Sequence, residues 1–388
     1  MAESTIQVVT LAAALSVVIW LYLLFFRGGF WRADQRLGEA AAHVGDWPDI
    51  AVIVPARNEA PLIGRTMSAL LAQDYPGRYD VALIDDGSDD GTAAAARAVE
   101  GADQRLTIIL STPPPAGWTG KLWALAAGID HAAGTLPGAR YLLFSDADIE
   151  HHPATLRLLA AKAEAERLDL VSLMALLSCK TPWERLLAPA FVYFFQKLYP
   201  FPWVNDPAHP AAAAAGGCVL VRRDALAAAG GIAAISDALI DDCALARLIK
   251  RQGAIWLGLA ETTFSIRPHD GLKDIWTMVA RTAFTQLHYS PVLLAAAVAG
   301  MAVIYMAPPA ALAGGLLAAD GVLAGLGLAG CLLMAAAYGP TLELYRQPLA
   351  AAALLPIAAL LYSAMTIDSA FRHWRGRGAR WKGRTHGR

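Results

Sequence analysis

Tyr141-Leu142-Leu143-Phe144-Ser145-Asp146-Ala147-Asp148 is the stretch whose reading decides the fold. Its first four residues are apolar and aromatic-rich, the composition of a short buried strand. The strand leads directly into two carboxylates one residue apart. If the chain stays extended there, Asp146 and Asp148 point to the same side. Two like charges about 4 Å apart repel by roughly 4 kcal/mol at an effective dielectric near 20. A hard divalent cation with oxygen ligands relieves that repulsion, so the pair is a candidate metal–diphosphate site. The alternative is a pair of acidic loop residues capping a helix.

The same arrangement recurs upstream. Ile50-Ala51-Val52-Ile53-Val54 and Val81-Ala82-Leu83-Ile84 read as buried strands and 106–110 as another, with helices at 61–74, 92–99 and 121–133. Strands alternating with helices predict an α/β domain with a mainly parallel sheet flanked by helices. Ligands of such sheets bind beyond the carboxyl ends of the strands. Polar motifs stand there three times: Arg57-Asn58-Glu59, Asp85-Asp86-Gly87-Ser88 and Asp146-Ala147-Asp148.

Each motif has a chemical and a plain structural reading. Pro55-Ala56-Arg57-Asn58-Glu59 is a nucleotide contact or an ordinary strand-to-helix loop. Asp85-Asp86-Gly87-Ser88-Asp89-Asp90-Gly91-Thr92 carries four carboxylates, more than capping of the next helix by Ser88 or Asp90 requires. An acidic side chain at a strand end can accept from ribose hydroxyls or a base N–H. GxGxxG and GxxxxGK[ST] are both missing, which sets aside the usual dinucleotide and P-loop signatures. Trp118-Thr119-Gly120-Lys121 places a lysine and free backbone N–H groups at a helix start, suited to a phosphate, or is a turn with a surface lysine. Gly216-Gly217 precedes the strand Val219-Leu220-Val221 and would let a substrate approach the backbone, unless it is a simple turn. Ile240-Asp241-Asp242 opens a helix that runs to Gln252. Carboxylates there match the helix dipole, which would also keep one ionised for use as a general base.

The whole chain has 388 residues, of which 56% are hydrophobic and 17% charged, with mean hydropathy +0.41. That is too apolar for an ordinary soluble enzyme. The formal net charge of −1 supplies no basic field for nucleic acid. The four cysteines lack the paired spacing of a zinc or disulfide site and read as buried free thiols. Ile6–Phe26 is an apolar run long enough for a bilayer core of roughly 30 Å. The residues before it hold Glu3 and no lysine or arginine, unlike a cleaved signal peptide. Arg27, Arg32 and Arg36 follow, which places the next segment on the cytoplasmic side.

Residues 291–313, 321–338 and 348–367 return to membrane composition. The expected division is an anchor at 1–28, a catalytic domain at 48–270, an amphipathic interfacial segment at 271–290, membrane helices at 291–371 and a basic tail at 372–388. One N-terminal and two to three C-terminal transmembrane helices are predicted. Three full crossings would put the tail residues Arg372, Arg375, Arg377, Arg380, Lys382, Arg384 and Arg388 outside, against the positive-inside rule. The run 291–313, interrupted by Pro308-Pro309, is therefore the candidate for a re-entrant segment. The aromatic-rich 186–203 and the amphipathic 272–288 suit the headgroup boundary as a lipid access slot, or the core of a large domain.

Together the motifs resemble family 2 glycosyltransferases of the GT-A type, over roughly residues 48–290. The matched elements are 55–59, 85–92, Gly120-Lys121, Asp146-Ala147-Asp148, Gly216-Gly217 and Asp241-Asp242, in the family's order. With its membrane segments and Trp381-Lys382-Gly383-Arg384, the chain is similar to hopanoid-associated membrane glycosyltransferases of bacteria, and more distantly to ceramide glucosyltransferase-like enzymes.

The resemblance implies a nucleotide-diphosphate sugar donor, a UDP-sugar, contacted by Pro55, Arg57, Asn58, Glu59, Asp85, Asp86, Gly120, Lys121 and Asp146. Asp86 would hold the nucleoside, and Asp146 and Asp148 would bind Mg²⁺ or Mn²⁺. Asp242, with Asp241 where the family usually has Glu, would deprotonate the acceptor. Gly216, Gly217, His288 and Tyr289 would lie on the acceptor side. His288-Tyr289 stands where the family's Gln-x-x-Arg-Trp motif has Arg-Trp, so Arg281 or the basic tail would have to clamp the diphosphate instead. The implied reaction is inverting transfer to a lipid alcohol in hopanoid synthesis. It would take place at the bacterial cytoplasmic membrane, with the catalytic domain facing the cytoplasm. A processive polysaccharide synthase and a non-catalytic, membrane-anchored nucleotide-fold binding module are the rival readings.

Overall fold

Every residue of the strand Ile50–Ala56 is buried, as a strand inside a parallel sheet must be. It is β1 of a mixed sheet that also contains Tyr79–Asp85 (β2), Leu106–Leu110 (β3), Tyr141–Ser145 (β4), Ile149–Glu150 (β5), Leu170–Leu176 (β6), Cys218–Arg222 (β7) and Ile255–Ser265 (β8). The eight strands lie in the order β3-β2-β1-β4-β7-β6-β8-β5. β3, β2, β1 and β4 run parallel. β7 runs against both of its neighbours, β4 and β6, and β8 is parallel to β6. The amino end of β7 therefore shares one edge with the carboxyl ends of β1, β2, β4 and β8. That edge carries the site.

The helices between strands form at Ala60–Leu71, Thr92–Arg97 and Gly120–Thr135, close to the predicted spans. Thr119 caps the last of these, its hydroxyl accepting from the Leu122 N–H. The chain is not extended between Asp146 and Asp148, contrary to the sequence expectation. It turns there, with the Ile149 N–H donating to the Asp146 carbonyl. The cause is β5, which must leave β4 to pair with the end of β8, Ile149 opposite Ser265.

The structure, a computed structural model, describes residues 3–38, 45–99, 105–376, 380–381 and 384–385. The chain divides into two units: Asp34–Ser178 with Phe201–Pro268 and Arg380–Arg388, which holds the sheet, and Met1–Ala33 with Cys179–Pro200 and His269–Ala379. The segment 179–200, inside the stretch expected to be catalytic, thus groups with the apolar helices.

In that second unit Ile6–Phe26, Pro291–Leu317, Gly321–Leu344 and Leu349–Trp374 are each long and apolar enough to cross a membrane. The break expected at Pro308-Pro309 does not occur, and Pro291–Leu317 continues as one helix. Proline removes the N–H that the Ile304 carbonyl would accept. The backbone adapts with a π turn at Ala302–Met306, and the freed Ile304 carbonyl accepts from Trp20 Nε1 at 3.0 Å and Ser16 Oγ at 3.2 Å. Neighbouring helices supply such partners where water cannot. A methyl group on Gly327 would lie 2.2 Å from the Leu312 nitrogen, so Gly321–Leu344 packs at a spacing only glycine permits.

Residues 272–288 form two short helices, Leu272–Ala280 and Ala283–Gln286, rather than one, because Thr282 leaves the helical conformation at φ −127°. All four cysteines are free; Cys218 and Cys243 are buried while Cys179 and Cys331 are half-buried. In the tail, Arg380–Trp381 pairs with Arg384–Thr385, and Arg377, Lys382 and Arg388 lie outside the described residues.

Candidate active site

Lys121 is the hub of the sheet's carboxyl edge. Its Nζ lies 2.9 Å from Asp146 Oδ1 and 3.0 Å from Asp241 Oδ2. One ammonium thus joins the turn after β4 to the start of the helix Asp241–Lys250. Burial alone would lower the Lys121 pKa, but Asp146 and Asp241 outweigh it and hold the ammonium above its ordinary value. Burial pushes the Asp146 carboxyl up, and Asp148 adds to the rise while Lys121 opposes it.

Asp148 is held from the other side. Arg267, just past β8, donates through Nε to Asp148 Oδ2 at 2.7 Å and through Nη2 to Glu59 Oε1 at 2.5 Å. The Asp148 backbone is fixed as well, its carbonyl accepting from the Ile266 N–H.

Gly216 and Gly217 sit at the amino end of β7, on the same edge. The Gly216 N–H donates to Asp242 Oδ2 at 3.0 Å. A methyl group on Gly216 would come 3.3 Å from Lys121 Nζ and 3.4 Å from Asp242 Oδ2, so glycine leaves these charged groups room. Asp242 Oδ1 also accepts from the Cys243 N–H at 2.6 Å. Burial first, then Asp241, push the Asp242 pKa up to about 6, against the pull of Lys121 and these backbone donors. The helix start does supply an N–H to Asp242, but burial and the neighbouring charge dominate, so the carboxylate titrates just below neutral pH. Pro55, Lys121, Asp146, Gly216, Asp241 and Asp242 line one cleft, floored by apolar side chains such as Phe144 and Val219.

The loops after β1 and β2 lock together beside this cleft. Asn58, in the left-handed conformation at φ 52°, donates its N–H to Ser88 Oγ and accepts from the Asp89 N–H. The Glu59 N–H donates to Thr92 Oγ1. Asp85 accepts from the Ser88 N–H, and Asp90 from the Ala60 and Thr92 N–H groups. Asp86 is 1% exposed and its carboxylate lies 3.7 Å from Arg57, which also donates to the Asp86 carbonyl. Of the two capping candidates, Asp90 serves the helix at Thr92, while Ser88 serves Asn58.

The stretch running from β1 past β7, residues 51–229, matches the family profile described as Glycosyl transferase family 2. Over that stretch the chain is similar to glycosyl transferase family 2. The chain is 31% identical over 125 residues to Glycosyltransferase AglE of Haloferax volcanii, covering 32% of this chain and 38% of that protein. It is also 31% identical over 127 residues to Dodecaprenyl-phosphate galacturonate synthase of Rhizobium johnstonii, covering 32% of this chain and 35% of that protein. The matches therefore span little more than a third of these curated relatives. The mannosyltransferase PcManGT from Pyrobaculum calidifontis, solved with GDP-Man and Mn²⁺, superimposes over 96% of this chain and 99% of its own at TM-score 0.54 and 21% identity, a likeness of fold.

Ten sequence-selected residues of the matched stretch and its flank thus meet on one edge: Pro55, Glu59, Gly120, Lys121, Asp146, Asp148, Gly216, Gly217, Asp241 and Asp242, with Arg57, Asn58, Asp85 and Asp86 in the adjoining loops. His288 and Tyr289 belong to the other unit. They form a tight turn with φ 51° and 55°, where Tyr289 stacks on His373 at 4.3 Å between ring centres. Arg281, offered as a diphosphate clamp, is exposed in that same unit. Sequence reasoning missed Arg267. The available signal was its place directly after a strand end, in Ser265-Ile266-Arg267.

The carboxylate pair fits a divalent cation that arrives with its substrate. Among the described residues no group of three or more His, Cys, Asp or Glu could form an all-protein metal cage. Magnesium-type sites instead use one or two carboxylates and complete the shell with substrate phosphates and water.

Proposed function

We propose that this protein is a membrane-bound, inverting glycosyltransferase that moves a sugar from a nucleotide-diphosphate sugar to a lipid alcohol. The observation that carries this reading is the charge balance of the rim. Glu59, Asp146, Asp148, Asp241 and Asp242 gather around two side-chain cations, Lys121 and Arg267. Carboxylates so gathered repel a diphosphate, which a divalent cation arriving with it would offset, and this supports Mg²⁺ or Mn²⁺ at Asp146 and Asp148. The Mn²⁺ bound with GDP-Man in the structurally similar mannosyltransferase supports that assignment.

Each residue has a defined task. Asp86, held by Arg57, receives the nucleoside at the end of β2. Lys121, at a helix start, faces the phosphates together with the backbone at Gly120. A divalent cation held by Asp146 and Asp148 would neutralise charge developing on the leaving diphosphate. The acceptor hydroxyl oxygen bonds to the anomeric carbon as that carbon's bond to the diphosphate oxygen breaks, and attack from the opposite face inverts the configuration. Asp242 takes the hydroxyl proton. With its pKa pushed up to about 6, it is ionised at neutral pH yet basic enough to accept, the compromise general-base catalysis requires. Gly216 and Gly217 keep space beside it for the acceptor.

A lipid acceptor is supported by the four apolar helices and by the polyprenyl phosphate in the name of one relative. The resemblance to hopanoid-associated enzymes points to a polycyclic isoprenoid alcohol, with a UDP-sugar as donor. Arg27, Arg32 and Arg36 after the first apolar helix support a catalytic domain on the cytoplasmic face of a bacterial inner membrane. The test is to give the full chain in lipid nanodiscs radiolabelled UDP- and GDP-sugars, Mn²⁺ and a hopanoid-containing lipid extract. Mass spectrometry should find one sugar added to one lipid, only with metal present. A ladder of polymer products, or no transfer from any donor, would contradict the reading.

A further inference from the structure

Asp148 and Glu59 are nearly buried, with side chains 16% and 8% exposed. Buried carboxylates need a counter-charge. Arg267 supplies it to both through two different guanidinium nitrogens. We propose that Arg267 is a built-in counter-ion that keeps a divalent cation from binding alone and releases Asp148 only when the cation arrives with a diphosphate. The inference rests on the metal role proposed for Asp146 and Asp148, and goes beyond it by making metal and donor binding interdependent.

The register of the sheet enforces the contact. β5 pairs with the end of β8, Ile149 opposite Ser265, and the Ile266 N–H holds the Asp148 carbonyl at 2.8 Å. The Asp148 backbone is therefore fixed beside Arg267. The arginine reaches the contact on a longer side chain that is 37% exposed.

A cation binding to Asp148 by itself must displace the guanidinium, which then keeps only Glu59. A cation that carries a diphosphate brings oxygens on which the displaced fork can settle, a geometry that suits arginine. Lys121 is placed alike, leaning on both Asp146 and Asp241, but its ammonium is a point charge without the fork that matches two diphosphate oxygens. The coupling between metal and diphosphate is thus assigned to Arg267, and it acts equally in both directions. It also gives the domain a cation near the diphosphate where the expected Arg-Trp pair is replaced by His288-Tyr289.

The test is Mn²⁺ binding to the full-length protein in nanodiscs, followed by electron paramagnetic resonance of the free ion, without nucleotide and with UDP or GDP. In the parent protein, nucleotide should tighten Mn²⁺ binding by about 10-fold or more, within the usual range of such couplings. Arg267→Gln should bind Mn²⁺ alone about 10-fold tighter and lose most of the enhancement by nucleotide. Arg267→Lys keeps the charge without the fork and should fall between the two, which decides the matter if the glutamine variant is unstable. Unchanged Mn²⁺ affinity and unchanged enhancement in the variants would overturn the counter-ion role while leaving the metal site standing. No Mn²⁺ binding by the parent protein, with either nucleotide, would overturn both.

Discussion

The two acidic loops of the sheet, Asp85–Asp90 and Asp146–Asp148, look alike in sequence and differ in what their carboxylates touch. Asp85 and Asp90 accept from the backbone N–H groups of Ser88, Ala60 and Thr92. Those bonds are how the loops after β1 and β2 fold. Asp146 and Asp148 are held by Lys121 and Arg267, side-chain cations that an incoming cation can replace. Acidic density alone does not mark a binding site. A carboxylate spent on backbone donors is structural, and one balanced by a side-chain cation is exchangeable.

Asp242 is the residue that could break this division, because it accepts from the Gly216 and Cys243 N–H groups and is nevertheless assigned chemistry. Asp242→Asn should lower turnover by about 10²–10⁴-fold, the general-base range, while Mn²⁺ and nucleotide still bind in a calorimeter. Turnover within a few-fold of the parent would return Asp242 to the structural class. The exchangeable pair comes next. Asp146→Ala and Asp148→Ala should each weaken Mn²⁺ binding in the presence of UDP or GDP by about 10-fold or more, the scale of losing a group that supports a metal site.

The folding loop should behave in the opposite way. Asp90→Ala loses acceptors for two backbone N–H groups and should cost about 1–2 kcal/mol of stability, as lost caps do. Its Mn²⁺ affinity should be that of the parent, and a drop in metal affinity equal to that of Asp148→Ala would erase the distinction between the loops.

The smallest effects are in pH. An Asp242 pKa near 6 predicts that activity falls as pH drops through about 6, by up to tenfold per unit. For stability the sign reverses the usual carboxylate case. The folded pKa lies above the unfolded value of about 3.9, so the folded state binds more protons, and stability from this group declines as pH rises from about 4 to 6. Asp242→Asn should therefore melt above the parent at pH 7.5, with the gap closing below pH 4. A lower melting point at pH 7.5 would mean that the carboxylate stabilises the fold.

What was legible in the sequence follows the same physics. β1, β2 and β4 are buried on both faces, so they read as unbroken apolar runs, and their polar followers mark the carboxyl edge. The turn at Asp146–Asp148 is not legible locally because its cause, the pairing of Ile149 with Ser265, joins segments far apart in the chain. Arg267 stayed hidden for that reason too. Its partners Asp148 and Glu59 lie 119 and 208 positions away. β8 itself lacks a clean pattern, since Glu261 and Thr262 expose its second half while its first half is buried. His288 and Tyr289 were selected by their offset from a motif, and offset alone carries no information about which unit a turn belongs to. The proline pair misled for a local reason, because the donors that rescue Ile304 come from Ser16 and Trp20 at the other end of the chain.

The central claim is a divalent cation shared between Asp146, Asp148 and the donor's diphosphate. Electron–nuclear double resonance of Mn²⁺ bound to the full-length protein with UDP or GDP tests it most directly. A ³¹P hyperfine coupling that appears with nucleotide and disappears in the Asp146→Ala, Asp148→Ala double variant is the expected result. A protein-bound Mn²⁺ signal that lacks ³¹P coupling, or that survives the double substitution unchanged, would contradict the account.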